Sequence, residues 1–89
     1  MTERVVKIVN QSGLHARPAA QVVDFVKAYP GRVEVVQGEK ICNLKSILMV
    51  LSMGLSRGTE VTLRVSGESK KDEEAYLEKL VDFINNLDG

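Results

Sequence analysis

The chain has 89 residues, of which 44% are hydrophobic and 27% charged, a composition typical of one globular domain and too apolar for a disordered chain. Twelve Lys and Arg residues balance twelve Asp and Glu residues, so no basic excess favours nucleic acid or an anionic membrane surface. The longest wholly apolar run, residues 47–51, is far shorter than the roughly 20 residues of a membrane span, and one cysteine cannot form an internal disulfide.

A strand and an amphipathic helix are predicted first. β-Branched residues with imperfect alternation predict a strand from Arg4 to Val9, which ends at the turn sequence of residues 10–13. Apolar residues at helical spacing predict a helix from Ala16 to Ala28. The sequence Tyr29-Pro30-Gly31 ends this helix, because proline disfavours helical geometry in the residue before it.

A hairpin and a short helix are predicted next. The segments Arg32–Val36 and Lys40–Leu44 predict two antiparallel strands joined by a short loop that contains glycine. Ser46 is a preferred N-cap for a helix over residues 47–53, and Gly54 is suited to end that helix.

A fourth strand and a third helix complete the predicted fold. The segment from Val61 to Ser66 alternates apolar and polar residues, which predicts a half-buried strand. Ser69 and Asp72 have the spacing of a capping box, so a helix is expected after them. The order βαββαβα predicts a single α+β domain over residues 1–89, with a four-stranded antiparallel sheet covered on one face by three helices. The predicted apolar stripe of the last helix is Leu77, Leu80, Val81, Ile84 and Leu87.

The only histidine of the chain, His15, lies where the first loop is predicted to become a helix. A helix N-terminus presents free N–H groups and the positive end of the helix dipole, so it favours a bound phosphate. Neutral imidazole is a nucleophile, and the guanidinium of Arg17 can pair with phosphoryl oxygens. In most small domains a lone histidine is an ordinary surface residue, so the surrounding motif decides between the two interpretations.

That motif is the segment Gly13-Leu14-His15-Ala16-Arg17-Pro18-Ala19. It resembles the active-site sequence of the histidine-containing phosphocarrier family, HPr, of the bacterial phosphoenolpyruvate-dependent sugar phosphotransferase system. The segment Asn43-Leu44-Lys45-Ser46-Ile47 is similar to the regulatory serine segment of the Gram-positive branch of that family. The resemblance covers essentially the whole chain and implies the open-faced β-sandwich of the family.

The resemblance implies a carrier rather than an enzyme. His15 would take a phosphoryl group on Nδ1 from enzyme I, with Arg17 stabilising the phosphate, and pass it to sugar-specific enzyme IIA domains. We expect a cytoplasmic monomer. No cofactor and no metal are expected, because positioning and charge stabilisation suffice for transfer between two histidines.

Ser46 has two interpretations. As a helix N-cap it needs no further role. By resemblance, an ATP-dependent kinase/phosphorylase would modify Ser46, slow the phosphorylation of His15 and turn the protein into a corepressor for a catabolite-control transcription factor. A phosphate there would add about −1.5 to −2 charges at a helix N-terminus.

One sheet cannot bury every side of the apolar helix over residues 47–51, so part of it is expected to be exposed. The sequence departs from the family pattern at Met49, where glycine is common, and at Asp24, where many members have a neutral or basic residue. We expect Lys27, Lys40 and Lys45 to be available for acidic partners, although charges of this kind are more often just solvated surface. The resemblance places partner docking on Ala16, Ala20, Ile47, Leu48 and Leu51.

A small-molecule-sensing domain, or a purely regulatory protein-binding α/β domain, is the alternative, since a fold alone does not choose among functions. The small-molecule-sensing alternative leaves the residues from His15 to Pro18 unexplained. The sequence leaves open which sugars are served and whether a Ser46 kinase is present.

Overall fold

A four-stranded antiparallel sheet is the framework of the protein. The computed structural model describes residues 1–11 and 13–87; Ser12 of the first predicted turn, and Asp88 and Gly89 after the last helix, lie outside the described residues. The strands are hydrogen-bonded in the order β1-β4-β2-β3, which places the first and last strands side by side. Their bounds are β1 (Thr2–Lys7), β2 (Arg32–Gln37), β3 (Lys40–Asn43) and β4 (Glu60–Ser66).

Three helices pack on one face of this sheet, as the sequence predicted. They are α1 (Ala16–Lys27), α2 (Ile47–Ser52) and α3 (Lys70–Asn85). Alternate strand residues such as Val33, Val35 and Leu63 point into the core between the two layers, where they are at most 1% exposed. No helix in the described part of the chain has the length and apolar character of a membrane span.

Strand β1 begins and ends two residues earlier than the sequence predicted. Its last residue, Lys7, pairs with Glu60, which is the first residue of β4. Ile8 is buried beyond the end of the ladder, and its N–H donates a hydrogen bond to the carbonyl of Thr59 (2.9 Å). The alternating pattern therefore reports burial correctly, whereas the length of the partner strand sets where β1 ends.

The predicted hairpin turn and helix cap are confirmed. Gly38 and Glu39 form the two-residue turn between β2 and β3, and Gly38 has a φ of +61°, a conformation that glycine adopts readily. At the start of α3, the hydroxyl of Ser69 accepts a hydrogen bond from the N–H of Asp72 (3.1 Å).

The four aromatic residues of the chain lie between α1 and α3. Phe25 stacks on Phe83 with ring centroids 4.3 Å apart, and Tyr29 stacks on Tyr76 at 4.1 Å. The Tyr29 hydroxyl donates a hydrogen bond to Asp72 Oδ2 (2.6 Å), and burial together with this bond raises the pKa of Tyr29. These contacts fix the C-terminal half of α1, and so the direction in which its N-terminus points.

Glu73 is the only buried charged residue among those described. Its carboxylate accepts hydrogen bonds from the hydroxyl of Thr2 (2.7 Å) and the N–H of Gly67 (2.8 Å), and the Met1 ammonium lies 3.1 Å away. These three donors lower the pKa of Glu73 to about 2. Glu73 therefore ties β1 to α3, a role that the sequence did not indicate.

Candidate functional site

His15 is the N-cap residue of α1. Its backbone is extended (φ −77°, ψ −172°), its side chain makes no capping hydrogen bond, and the residue is exposed. The imidazole is thus accessible from solvent at the predicted start of the helix.

The first turn of α1 leaves two N–H groups beside His15. The N–H of Ala19 donates to the carbonyl of His15 (2.8 Å), and Pro18 has no N–H. No backbone carbonyl of the described residues accepts a hydrogen bond from the N–H of Ala16 or Arg17. These two amides carry the positive end of the helix dipole and suit a phosphoryl oxygen.

The loop before His15 is held by close backbone contacts. Gly13 is buried with a φ of +63°, and the N–H of Leu14 donates to the carbonyl of Leu55 (2.7 Å). The side-chain amide of Asn10 donates to the carbonyl of Gly13 (2.5 Å), and the N–H of Gly13 donates to the carbonyl of Asn10 (3.1 Å). The roles of Asn10 and Leu55 were not predicted from the sequence, in which the apolar residue next to the histidine, Leu14, was the one available signal.

A shallow depression of about 320 Å³ adjoins His15. It brings the acceptor candidate together with the end of α2, so two segments 36 residues apart along the sequence, at His15 and Leu51, meet in one place. The lining residues are Leu14, His15, Ala16, Leu51, Gly54 and Leu55.

The prediction that part of the apolar surface of α2 is exposed is confirmed. Leu48 is 77% exposed and Leu51 is 39% exposed, while Val50 is fully buried. Ile47 is only half-exposed and packs against the core. Ala16 and Ala20 are exposed on α1. Of the five residues assigned to docking, only Ile47 is therefore partly buried.

Arg17 is exposed in the first turn of α1. No carboxylate in residues 1–11 and 13–87 lies within ion-pair distance of its guanidinium. Arg17 can therefore turn toward an anion at His15 without first breaking an ion pair within this part of the chain.

Ser46 caps α2 as predicted, and its hydroxyl accepts a long hydrogen bond from the N–H of Met49 (3.4 Å). The expectation that Lys45 is available to acidic partners is wrong. Its ammonium donates to the carbonyls of Tyr29 (2.5 Å) and Gly31 (2.8 Å), so it fastens the segment before Ser46 to the turn after α1.

A larger depression of about 550 Å³ lies between α1 and α3, away from His15. It contains Asp24, one of the two departures from the family pattern, and none of the predicted site residues. In the described residues, no three His, Cys, Asp or Glu side chains are grouped so as to hold a metal ion.

The chain is similar to proteins of one family along nearly its whole length. The family model described as PTS HPr component phosphorylation site matches residues 2–86. Phosphocarrier protein HPr of Haemophilus influenzae is 36% identical over 88 residues, which cover 99% of this chain and 100% of that protein.

Solved structures show the same similarity. The structure of HPr-C-His from Thermoanaerobacter tengcongensis has a TM-score of 0.86 and 39% identity, over 96% of this chain and 92% of that one. Crh, the catabolite repression containing protein of Bacillus subtilis, forms a dimer with a swapped domain; its TM-score is 0.71 at 38% identity, over 96% of this chain and 94% of that one.

Proposed function

Because the chain belongs to the HPr family of phosphocarrier proteins of the phosphotransferase system, we propose that His15 is the residue that carries the phosphoryl group. The observation that supports this assignment is the position of His15. His15 is the exposed N-cap residue of α1, and its side chain makes no capping hydrogen bond. It lies beside the amides of Ala16 and Arg17, which donate to no backbone carbonyl of the described residues. A carrier is a covalent intermediate between enzymes, so its acceptor must be reached by two partners in turn.

The first transfer forms a nitrogen–phosphorus bond on His15. The lone pair of Nδ1 attacks the phosphorus held by enzyme I, and the bond from phosphorus to enzyme I breaks with its electron pair left on enzyme I. The negative oxygens of the phosphoryl group meet the amides of Ala16 and Arg17 and the guanidinium of Arg17. The two amides are in place before the transfer, which lowers the cost of organising the site.

The second transfer runs the same exchange toward an enzyme IIA domain. The phosphorus forms a bond to the acceptor of the IIA domain while its bond to Nδ1 breaks, which regenerates neutral His15. Exposure of His15 makes both transfers sterically possible, and no buried group has to move. Under this proposal the relay takes place in the cytoplasm.

The docking surface of the proposal consists of Ala16, Ala20, Ile47, Leu48 and Leu51. Leu51 lines the depression at His15, and Leu48 exposes apolar area on the same short helix. The two alanines leave room for a partner to approach the first turn of α1. A small, partly apolar surface suits partners that bind in succession and release quickly. Ile47 packs partly against the core, so it offers less exposed area than Leu48.

Regulation at Ser46 is the second part of the proposal. Ser46 directly precedes the docking helix α2, so a phosphate on its hydroxyl would place negative charge beside Leu48 while favouring the helix N-terminus. The similarity to Crh, the catabolite repression containing protein of Bacillus subtilis, supports a regulatory role with a serine kinase/phosphorylase and a catabolite-control transcription factor as partners.

A reconstituted relay tests this function. The protein is incubated with enzyme I, phosphoenolpyruvate and an enzyme IIA domain, and phosphate on the IIA domain is followed with time. We expect wild-type protein to transfer and His15→Ala to be inactive. Leu48→Asp should slow both transfers, whereas Val5→Asp, which alters an exposed valine on the opposite face of the sheet, should not. Equal rates for Leu48→Asp and Val5→Asp would contradict the docking surface, and transfer by His15→Ala would contradict the carrier assignment.

A further inference from the structure

The face of the sheet opposite the helices is uncovered by any helix of the described residues. Alternate strand residues point outward from it, and the strand register arranges them in rows that cross the sheet. The central row runs through all four strands, because Val5 pairs with Thr62, Thr62 pairs with Val36, and Val36 pairs with Ile41. Val5 is 60% exposed and Ile41 is 51% exposed, so this row is an apolar stripe in contact with water.

Charged side chains form one row on each side of the stripe, and the signs of their charges are reversed from one row to the other. On one side Glu3 pairs with Arg64, and the Arg64 guanidinium lies 2.8 Å from Glu3 and 3.9 Å from Glu34. On the other side, Lys7 pairs with Glu60. When both strands are followed in the same direction across the stripe, β1 presents acid, valine and base, and the antiparallel β4 presents base, threonine and acid.

This pattern is complementary to itself. When a second copy is laid face to face on the first and related by a two-fold axis along the stripe, each stripe residue meets its own counterpart. The same operation places Glu3 over Lys7 of the other copy and Arg64 over Glu60 of the other copy. Each pairing occurs twice because a two-fold interface is reciprocal.

The geometry points to a face-to-face homodimer through the open face of the sheet, defined by the apolar stripe and its two charged rows. Sheets pack about 10 Å apart with strands within about 30° of each other, a separation that the long side chains of Arg64 and Lys7 can span. The open face is about 15 Å across four strands and buries a few hundred Å² per copy, well below the roughly 800 Å² of a standard interface. The dimer is therefore weak, and we expect a dissociation constant of the order of 1 mM, at the weak end of the affinity scale.

This dimer differs from one made by exchanging a segment. No strand leaves its own sheet, so association and dissociation are fast. The helices, which carry His15 and the docking surface, lie on the opposite face and remain accessible in both copies. The inference rests on the strand register and charges alone, and it holds whether or not His15 is the phosphoryl acceptor.

Charge exchange between two variants tests the dimer. Lys7→Glu gives β1 two acids, and Glu3→Lys gives it two bases, so each variant repels its own copy at two symmetric positions. Matched controls on α3, Lys79→Glu and Glu78→Lys, change net charge equally on the helical side. Backbone NMR spectra are recorded from about 0.05 to 5 mM, concentrations that bracket a constant of the order of 1 mM.

We expect fast-exchange shifts with concentration at the stripe in wild type and in both controls. Each strand variant alone should lose them, with binding weakened about tenfold or more, and an equimolar mixture of the two variants should regain them. A mixture without recovery, or shifts that persist in both single variants, would overturn the proposal, as would the absence of stripe shifts in wild type. Circular dichroism establishes that each variant is folded.

Discussion

Replacing Gly13 by alanine tests whether the close approach of two loops positions His15. Gly13 has a φ of +63°, a conformation that costs an alanine roughly 1–2 kcal/mol. A Cβ there would lie 2.7 Å from Ser56 Cα and closer still to the carbonyl oxygen of Leu55, so the loops must separate. Overpacking of this kind adds about 1–3 kcal/mol, so we expect the free energy of unfolding to fall by about 2–5 kcal/mol.

Gly38→Ala is the matched control. Gly38 has nearly the same φ, +61°, but a Cβ there would meet no atom within 4 Å. Only the backbone conformation is then strained, and the free energy of unfolding should fall by about 1–2 kcal/mol. The difference between the two variants measures the close approach at Gly13.

Two measurements are needed. Urea denaturation followed by circular dichroism gives the free energy of unfolding of each variant. The rate of phosphorylation by enzyme I, taken at a low temperature where both variants are folded, should fall by about 10- to 100-fold for Gly13→Ala because displacement passes through Leu14 to His15. Equal free energies of unfolding and equal rates of phosphorylation for Gly13→Ala and Gly38→Ala would refute the role of the close approach at Gly13.

Further outcomes are expected at three positions, Arg17, Ser46 and Glu73. Arg17→Ala should keep the fold but slow phosphoryl transfer about tenfold in at least one direction, since a charge-assisted contact is lost; unchanged rates in both directions would reject its role. Ser46→Ala should cost only about 0.5–1 kcal/mol in urea denaturation because the cap bond is 3.4 Å long. Ser46→Asp should be more stable than Ser46→Ala yet accept phosphate from enzyme I more slowly than wild type, and a wild-type rate would leave Ser46 a cap. Because its pKa is lowered to about 2, ionised Glu73 stabilises the fold above pH ~4.3, and this contribution is lost as pH falls toward 2. Urea denaturation over that range should show a steeper loss for wild type than for Glu73→Gln, and parallel profiles would contradict it.

Local signals predicted most of the fold because they act over a few residues. The N-cap residues Ser46 and Ser69, the turn at Gly38 and the alternation in β4 each depend on neighbours along the chain, and the structure confirms them. The end of β1 was misplaced because it depends on where β4 begins, a property of the partner strand.

The features that the sequence did not predict depend on residues distant along the chain. Glu73 is buried against Thr2, which lies 71 residues away along the chain, so its neighbours in the sequence do not indicate the contact. Lys45 has the pattern of a solvated lysine, yet two carbonyls after α1 bind its ammonium. His15 was predicted because its motif is contiguous, whereas the loop contact with Leu55 that supports it is not.

The most direct test of the account asks which atom carries the phosphoryl group. Protein with ¹⁵N-labelled imidazole is treated with enzyme I and phosphoenolpyruvate, and nitrogen–phosphorus coupling is recorded by NMR. The account predicts one phosphoryl group on Nδ1 of His15, lost on acidification, and no label in His15→Ala. A phosphoryl group on Nε2 or on another residue, or label that persists in His15→Ala, would contradict it.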